Sequence, residues 1–111
     1  MRWYGIDDLT PEDTAKIADR LKEMGLEAGL EGLYWLPAPA DLLSGLQKEH
    51  AESCGPHVFG LELEEDSLRL ELLVRARGRM RCECVHYAGP ELRTRMIAWL
   101  EQTLADLGIN A

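Results

Sequence analysis

The sequence predicts an α+β fold in the order α-β-α-β-β-β-α, as a single domain over residues 1–111 whose helices mainly cover one face of an antiparallel sheet. Two observations carry this prediction. Apolar residues alternate strictly from His57 to Tyr87, which is typical of half-buried strands. Before and after that stretch, apolar residues recur at helical spacing between residues that start and stop helices. A chain of 111 residues is long enough to bury one core without a disulfide or a metal.

The alternating stretch predicts a meander of three strands, at 57–65, 68–76 and 80–87. Its first turn sets three pairs, which are Leu63 with Leu68, Leu61 with Leu70 and Phe59 with Leu72. For the second turn, a loop over 77–79 keeps the apolar side chains on one face, whereas a shorter loop would mix the two faces. That loop pairs Ala76 with Met80, Val74 with Cys82, Leu72 with Cys84 and Leu70 with His86.

The first helix and the strand after it have clear boundaries in the sequence. Thr10 is a good N-cap for a helix that begins with proline, and Gly25 supplies the stop. A strand is expected at 33–36, and its place in the sheet is left open. Gly29 and Gly32, just before it, mark either a bulge or a tight turn between two short strands.

Two further helices are expected on either side of the meander. The second begins after Pro39 and ends before the Gly-Pro pair at 55–56. The last begins at Pro90 and stops at Gly108. A short strand at 2–6 has little support in the sequence.

Composition and charge restrict the classes of partner. The net charge is −8, and it is uneven: residues 1–66 hold five basic and fifteen acidic residues, whereas 67–111 hold seven and five. Such an acidic total argues against a nucleic acid partner, because phosphate neutralisation drives most of that affinity. We expect no membrane span, since the apolar runs are too short for one. An odd number of cysteines without paired spacing favours a reducing, cytoplasmic location.

Four residues suggest a metal site. His50 and Cys54 lie four apart on the second helix and therefore share a face. Cys82 and Cys84 lie two apart on a strand, so both thiols point the same way. A helix packed on that sheet would give a Cys₃His set suited to zinc. The competing interpretation is that the cysteines are small buried core residues, which is a common role for free cysteine.

Several apolar residues fall on the other face of the meander, which the pattern leaves towards solvent. Val58, Leu73 and Val85 point outward there, with Tyr87 nearby. Apolar side chains on an open face need a cover, which a partner subunit or a helix supplies. We therefore predict a homodimer interface at these residues.

The turn at the end of the meander is rich in arginine. Arg75, Arg77, Arg79 and Arg81 form a candidate anion-binding set, because arginine suits planar recognition of carboxylate and phosphate. The alternative, which we favour, is a solvated edge whose charges prevent strand-to-strand aggregation.

The sequence gives no motif that points to catalysis. It contains neither a recognisable nucleophile motif nor a glycine-rich phosphate loop. The preferred interpretation is therefore a small non-catalytic, cytoplasmic protein-interaction domain that self-associates and needs no cofactor. The alternative is a zinc-binding or thiol-dependent protein that uses the Cys/His set.

Overall fold

The computed structural model describes residues 2–79 and 81–109, which form an α+β domain as predicted. The elements in chain order are β1 (Trp3–Ile6), α1 (Pro11–Glu23), β2 (Leu33–Pro37), a 3₁₀ turn (Ala40–Leu42), α2 (Gly45–Glu49), α3 (Ala51–Cys54), β3 (His57–Leu63), β4 (Leu68–Glu71), β5 (Leu73–Ala76), β6 (His86–Tyr87) and α4 (Pro90–Asp106).

The six strands form one antiparallel sheet around β3. One edge of β3 pairs with β2, which settles the place of that strand. The other edge pairs first with β4 and then with β5. The outer edges of β4 and β5 pair with β1 and β6 respectively, so the N-terminal strand that had little sequence support is present.

The first turn of the meander has the predicted register, but the second strand is interrupted. Leu63 pairs with Leu68 and Leu61 with Leu70. Leu72 lies outside both β4 and β5; its N–H donates to the carbonyl of Arg2, which continues the pairing of β4 with β1, and its carbonyl accepts from the N–H of Ala88. The predicted pairing of Phe59 with Leu72 is therefore wrong. Pairing with β3 resumes two residues out of step, at Val58 with Arg75.

The third predicted strand, 80–87, is wrong except at its end. Strand β6 covers His86–Tyr87, and His86 pairs with Val74 instead of Leu70. The reason lies in the backbone after β5, where Gly78 N–H donates to the Cys54 carbonyl at 2.7 Å. The chain thus bonds to the end of α3 first and pairs with β5 only at β6. Met80, the predicted partner of Ala76, lies outside the described residues.

Helix boundaries follow the capping residues. Thr10 and Asp13 form a reciprocal capping box at the start of α1. The second predicted helix is shorter than expected, because Ser44 and Gln47 form another capping box and the helix begins only at Gly45. A 3₁₀ turn precedes it, and a break at His50 separates α2 from α3. Helix α4 begins after residue 89, as predicted.

The turn before β2 is the tight turn that the glycines allow. Gly29 and Gly32 have positive φ angles of 89° and 80°. A Cβ at Gly32 would lie 2.6 Å from the carbonyl oxygen of Leu63, so glycine is required there for space as well as conformation. Glu27 pairs with Tyr34 across this turn.

Helices α1 and α4 pack on one face of the sheet and form the main core. The apolar stripe of each helix is buried against the strands, and its buried members are Ile17, Leu21, Leu92, Met96, Leu100 and Leu104. A second, smaller buried cluster of Cys54, Ala76 and Cys84 lies apart from it. Over 2–79 and 81–109, no helix combines the length and apolarity that crossing a bilayer requires.

Candidate metal centre

Four side chains that can ligate a metal converge at the second cluster. The ligand atoms of His50, Cys54, Cys82 and Cys84 all lie within 4.8 Å of one another. His50 Nδ1 is 3.1 Å from Cys82 Sγ and 3.7 Å from Cys54 Sγ. These are the four residues that the sequence predicts as a set.

The helical half of the set is positioned by one turn of backbone. His50 sits at the break between α2 and α3, and Cys54 closes α3. The Cys54 N–H donates to the His50 carbonyl at 2.8 Å, so the two residues are one helical turn apart and share a side. His50 and Cys54 share a face as predicted, although the break at His50 separates α2 from α3.

The two remaining ligands, Cys82 and Cys84, lie in a segment whose conformation the sequence did not predict. Cys82 and Cys84 lie in a turn, where the Val85 N–H donates to the Cys82 carbonyl at 3.0 Å. The same segment is held to α2 by Gln47, whose Nε2 donates to the Cys84 carbonyl at 3.0 Å. The alternation that we interpreted as a strand therefore belongs to a segment folded against α2 and α3.

Burial shields one side of the cluster from water. Cys54 and Cys84 are 1% and 0% exposed, with Ala76 packed beside them. His50 and Cys82 are half-buried. A metal ion held by these four side chains would thus be enclosed by protein on the side of the sheet.

The environment separates the pKa values of two cysteines. The pKa of Cys82 falls to about 6, mainly because a backbone hydrogen bond from Cys84 stabilises the thiolate, with smaller contributions from the side chains of Cys84, Cys54 and His50. Burial raises the pKa of Cys84 to about 12. Cys82 is thus the favoured thiolate, and binding a divalent cation requires proton release from Cys84.

Two residues beside the four ligands, Ser44 and Gln47, were not predicted from the sequence to belong to the site. Gln47 is 1% exposed, and its Oε1 accepts from the Ser44 N–H at 2.9 Å. Ser44 Oγ in turn lies 3.0 Å from His86 Nε2. The Ser-x-x-Gln spacing is the signal of a capping box and could have located the start of α2. Nothing in the sequence indicates that the same glutamine reaches Cys84.

His57 is a further buried polar group on this side of the sheet. It is 5% exposed, and its Nε2 has no hydrogen-bond partner among the described residues. Burial lowers its pKa, and the charges of His50 and His86 act in the same direction. The ring is therefore neutral near pH 7.

The arrangement fits tetrahedral zinc. Bonds of about 2.3 Å to sulfur and 2.0 Å to nitrogen place the ligand atoms of a tetrahedron roughly 3.5–3.8 Å apart. Of the two distances from His50, 3.7 Å lies within that range and 3.1 Å lies below it. Sulfur and imidazole ligands favour zinc over magnesium or calcium, which prefer oxygen.

The four predicted interface residues lie in different environments. Val58 is 3% exposed, so it is already covered within the chain. Leu73 and Tyr87 pair across β5 and β6, half-buried and exposed respectively. Val85 lies in the turn and packs beside the second cluster. The interface itself stays a prediction.

Two of the four predicted anion-binding arginines have partners within the chain. Arg75 pairs with the carboxylate of Glu71. The Arg77 guanidinium lies 5.8 Å from the centroid of the Trp35 ring. Arg79 and Arg81 are exposed beyond β5. Their role in anion binding has no support from these contacts and stays a prediction.

Comparisons with protein-family models, with curated proteins and with solved structures find no match to this chain.

Proposed function

We propose that this chain binds one Zn²⁺ ion through His50, Cys54, Cys82 and Cys84. The observation that carries the proposal is the convergence of all four ligand atoms within 4.8 Å. Two of these side chains come from the α2–α3 break and helix end, and two from a turn more than twenty-five residues later in the chain. The ion would therefore act as a crosslink between these segments.

The ligand set favours a structural role over a catalytic one. Structural zinc sites use four protein ligands, whereas catalytic zinc keeps a position open for water or substrate. Here four protein ligands are at hand, and two of them are fully buried. Three thiolates and one neutral imidazole around Zn²⁺ leave a net charge of −1, which the half-buried side of the cluster exposes to solvent.

Location and partners follow as parts of the same proposal. Free thiols suit a reducing compartment, so we place the protein in the cytoplasm. The zinc site would stabilise a non-catalytic domain that acts by binding protein.

A thiol-dependent function is the second candidate, because one contact favours it. The 3.1 Å approach of His50 Nδ1 to Cys82 Sγ is within the range of a thiol and its general base. Zinc accounts for more of the site, since a nucleophile pair does not require the sulfurs of Cys54 and Cys84 beside it.

Metal content tests the proposal directly. The protein is expressed with added zinc, purified without an affinity tag or chelator, and weighed by native mass spectrometry alongside elemental analysis. We expect one zinc per chain, and loss of zinc in the double variant Cys54→Ser, Cys82→Ser. His86→Asn is the matched control, since His86 lies close by without belonging to the set, and it should keep the metal.

Two results would overturn the zinc proposal. One is a wild-type protein that carries no zinc and takes up none on titration. The other is a double variant that retains full metal content. A zinc-free wild type whose Cys82 alkylates rapidly at pH 7, with the rate lost in His50→Ala, would support the thiol-dependent function instead.

A further inference from the structure

The face of the sheet opposite α1 and α4 carries a groove that the zinc site does not use. The groove has a volume of about 250 Å³. Its walls are Trp3 on β1 and Trp35 on β2, and its floor is Gly60 on β3. These three strands place both tryptophans on the side of the sheet away from the main core.

The absence of a side chain at Gly60 creates the groove. A Cβ there would lie 3.6 Å from the Trp35 ring and 3.5 Å from a Glu71 carboxylate oxygen. Trp3, on the far side, is 50% exposed, which is a large apolar area to leave in water. The Arg69 guanidinium lies 5.1 Å from the centroid of its ring and holds it in place by a cation–π contact.

The charges that line the groove are balanced, unlike those of the rest of the chain. The groove is lined by two arginines, Arg69 and Arg75, and by two glutamates, Glu62 and Glu71, so its formal charge is zero. The chain carries −8, and all of that charge therefore lies elsewhere. Two copies that approach through acidic surfaces repel each other, whereas this face allows contact without that penalty.

Both signs of charge on one face also allow a two-fold contact. In such a contact the same patch meets itself, so each arginine of one copy can lie beside a glutamate of the other. An aromatic centre with a charged rim is the usual anatomy of a stable interface. Leu73 and Tyr87 extend this face. Leu73 lies two residues from Arg75 on β5 and therefore shares its side of the sheet, and Tyr87 on β6 pairs with Leu73.

We propose that this sheet face is the contact between two copies of the chain, with Trp3 and Trp35 at its centre. The predicted self-association would then use this face, with the two tryptophans at its centre in place of Val58. It does not depend on zinc, because the groove and the metal cluster share no residue.

The experiment measures mass in solution with the full chain. Sedimentation velocity and native mass spectrometry are run from about 1 to 100 μM, which spans the dissociation constants of weak to moderate dimers. We expect the wild type to be a dimer in the upper part of this range. Trp3→Glu should shift it to a monomer and weaken association by at least about tenfold, the factor that 1.4 kcal/mol represents.

Met24→Glu is the matched control. Met24 is 46% exposed, close to the value for Trp3, but it caps α1. The substitution adds the same charge without touching the groove, so this variant should remain a dimer. Arg69→Glu is a second groove variant, which changes the charge of the groove from zero to −2 and should also give a monomer. Circular dichroism checks that each variant is folded.

Three results would overturn the dimer proposal. A wild type that is monomeric throughout the range overturns it, as does a dimer that survives both Trp3→Glu and Arg69→Glu. A control that dissociates as readily as Trp3→Glu also overturns it, because the effect would then come from charge alone. A zinc-loaded monomer contradicts the dimer proposal and supports the zinc site. A zinc-free dimer contradicts the zinc site and supports the dimer proposal.

Discussion

The side-chain amide of Gln47 joins α2 to the turn that carries Cys84, and Gln47→Leu removes that link. Leucine has a similar volume and suits a site that is 1% exposed, so the packing changes little. What is lost is the hydrogen bond from Nε2 to the Cys84 carbonyl, together with the bond that Oε1 accepts from Ser44. The variant therefore isolates the polar contribution of the glutamine.

The size of the expected loss in stability follows from the burial of the two groups that lose their hydrogen bonds to Gln47. Cys84 is 0% exposed, so its carbonyl finds no water and its desolvation costs about 1–3 kcal/mol. Ser44 is half-buried, and water can partly replace its lost bond. We expect the free energy of unfolding to fall by about 2–4 kcal/mol. Because the turn is less well held, zinc affinity should fall by about 10- to 100-fold.

The assay is chemical denaturation followed by circular dichroism, with zinc affinity from competition against a chelator. Gln102→Leu is the control, because Gln102 is exposed and, over 2–79 and 81–109, its amide donates to Asp106 alone, one turn further along α4. The control should stay within about 0.5 kcal/mol of the wild type. If Gln47→Leu matches the control in both stability and zinc affinity, then Gln47 does not position Cys84 as we argue.

Two further predictions concern His57 and Gly78. Burial lowers the pKa of His57 in the folded protein below its usual 6.5, and the charges of His50 and His86 add to this effect. The unfolded chain therefore binds one more proton than the folded protein at acidic pH. As a result, the stability of the folded protein falls as the pH drops below 6.5. His57→Phe should therefore lose less thermal stability between pH 7 and pH 5.5 than the wild type, and an equal loss in the two proteins would contradict this; any acid release of zinc occurs in both. A Cβ at Gly78 would lie 2.7 Å from a backbone oxygen at the end of α3, so Gly78→Ala should destabilise the protein by at least about 2 kcal/mol in denaturant titrations and weaken zinc binding. Gly45→Ala, with open space at its Cβ, is the control and should be neutral or stabilising, and similar behaviour of the two variants would refute the close contact.

Local signals in the sequence predicted most of the helices and the first turn of the meander. Thr10 and Gly25 mark the ends of α1 because a hydroxyl cap and a left-handed glycine act within a few residues of themselves. The pairs Leu61–Leu70 and Leu63–Leu68 follow from alternation and a short turn, which are equally local.

The second half of the meander could not be predicted in this way. Alternation continues through Cys82 and Cys84, yet the backbone there bonds to α2 and α3. Competition between two distant partners for the same N–H and C=O groups leaves no trace in a period-two pattern. The interruption at Leu72 is equally invisible in the pattern, since pairing with β3 shifts by two residues there and a two-residue shift leaves the alternation unchanged.

The sequence by itself determined the α+β class, the helix faces and the identity of the four candidate ligands, because composition, periodicity and spacing are local properties. Only the tertiary structure decided that His50 and Cys54 meet Cys82 and Cys84 in a turn, and that Gly60 opens a groove between Trp3 and Trp35. Both depend on contacts between residues far apart in the chain, whose geometry is set by the packing of whole elements.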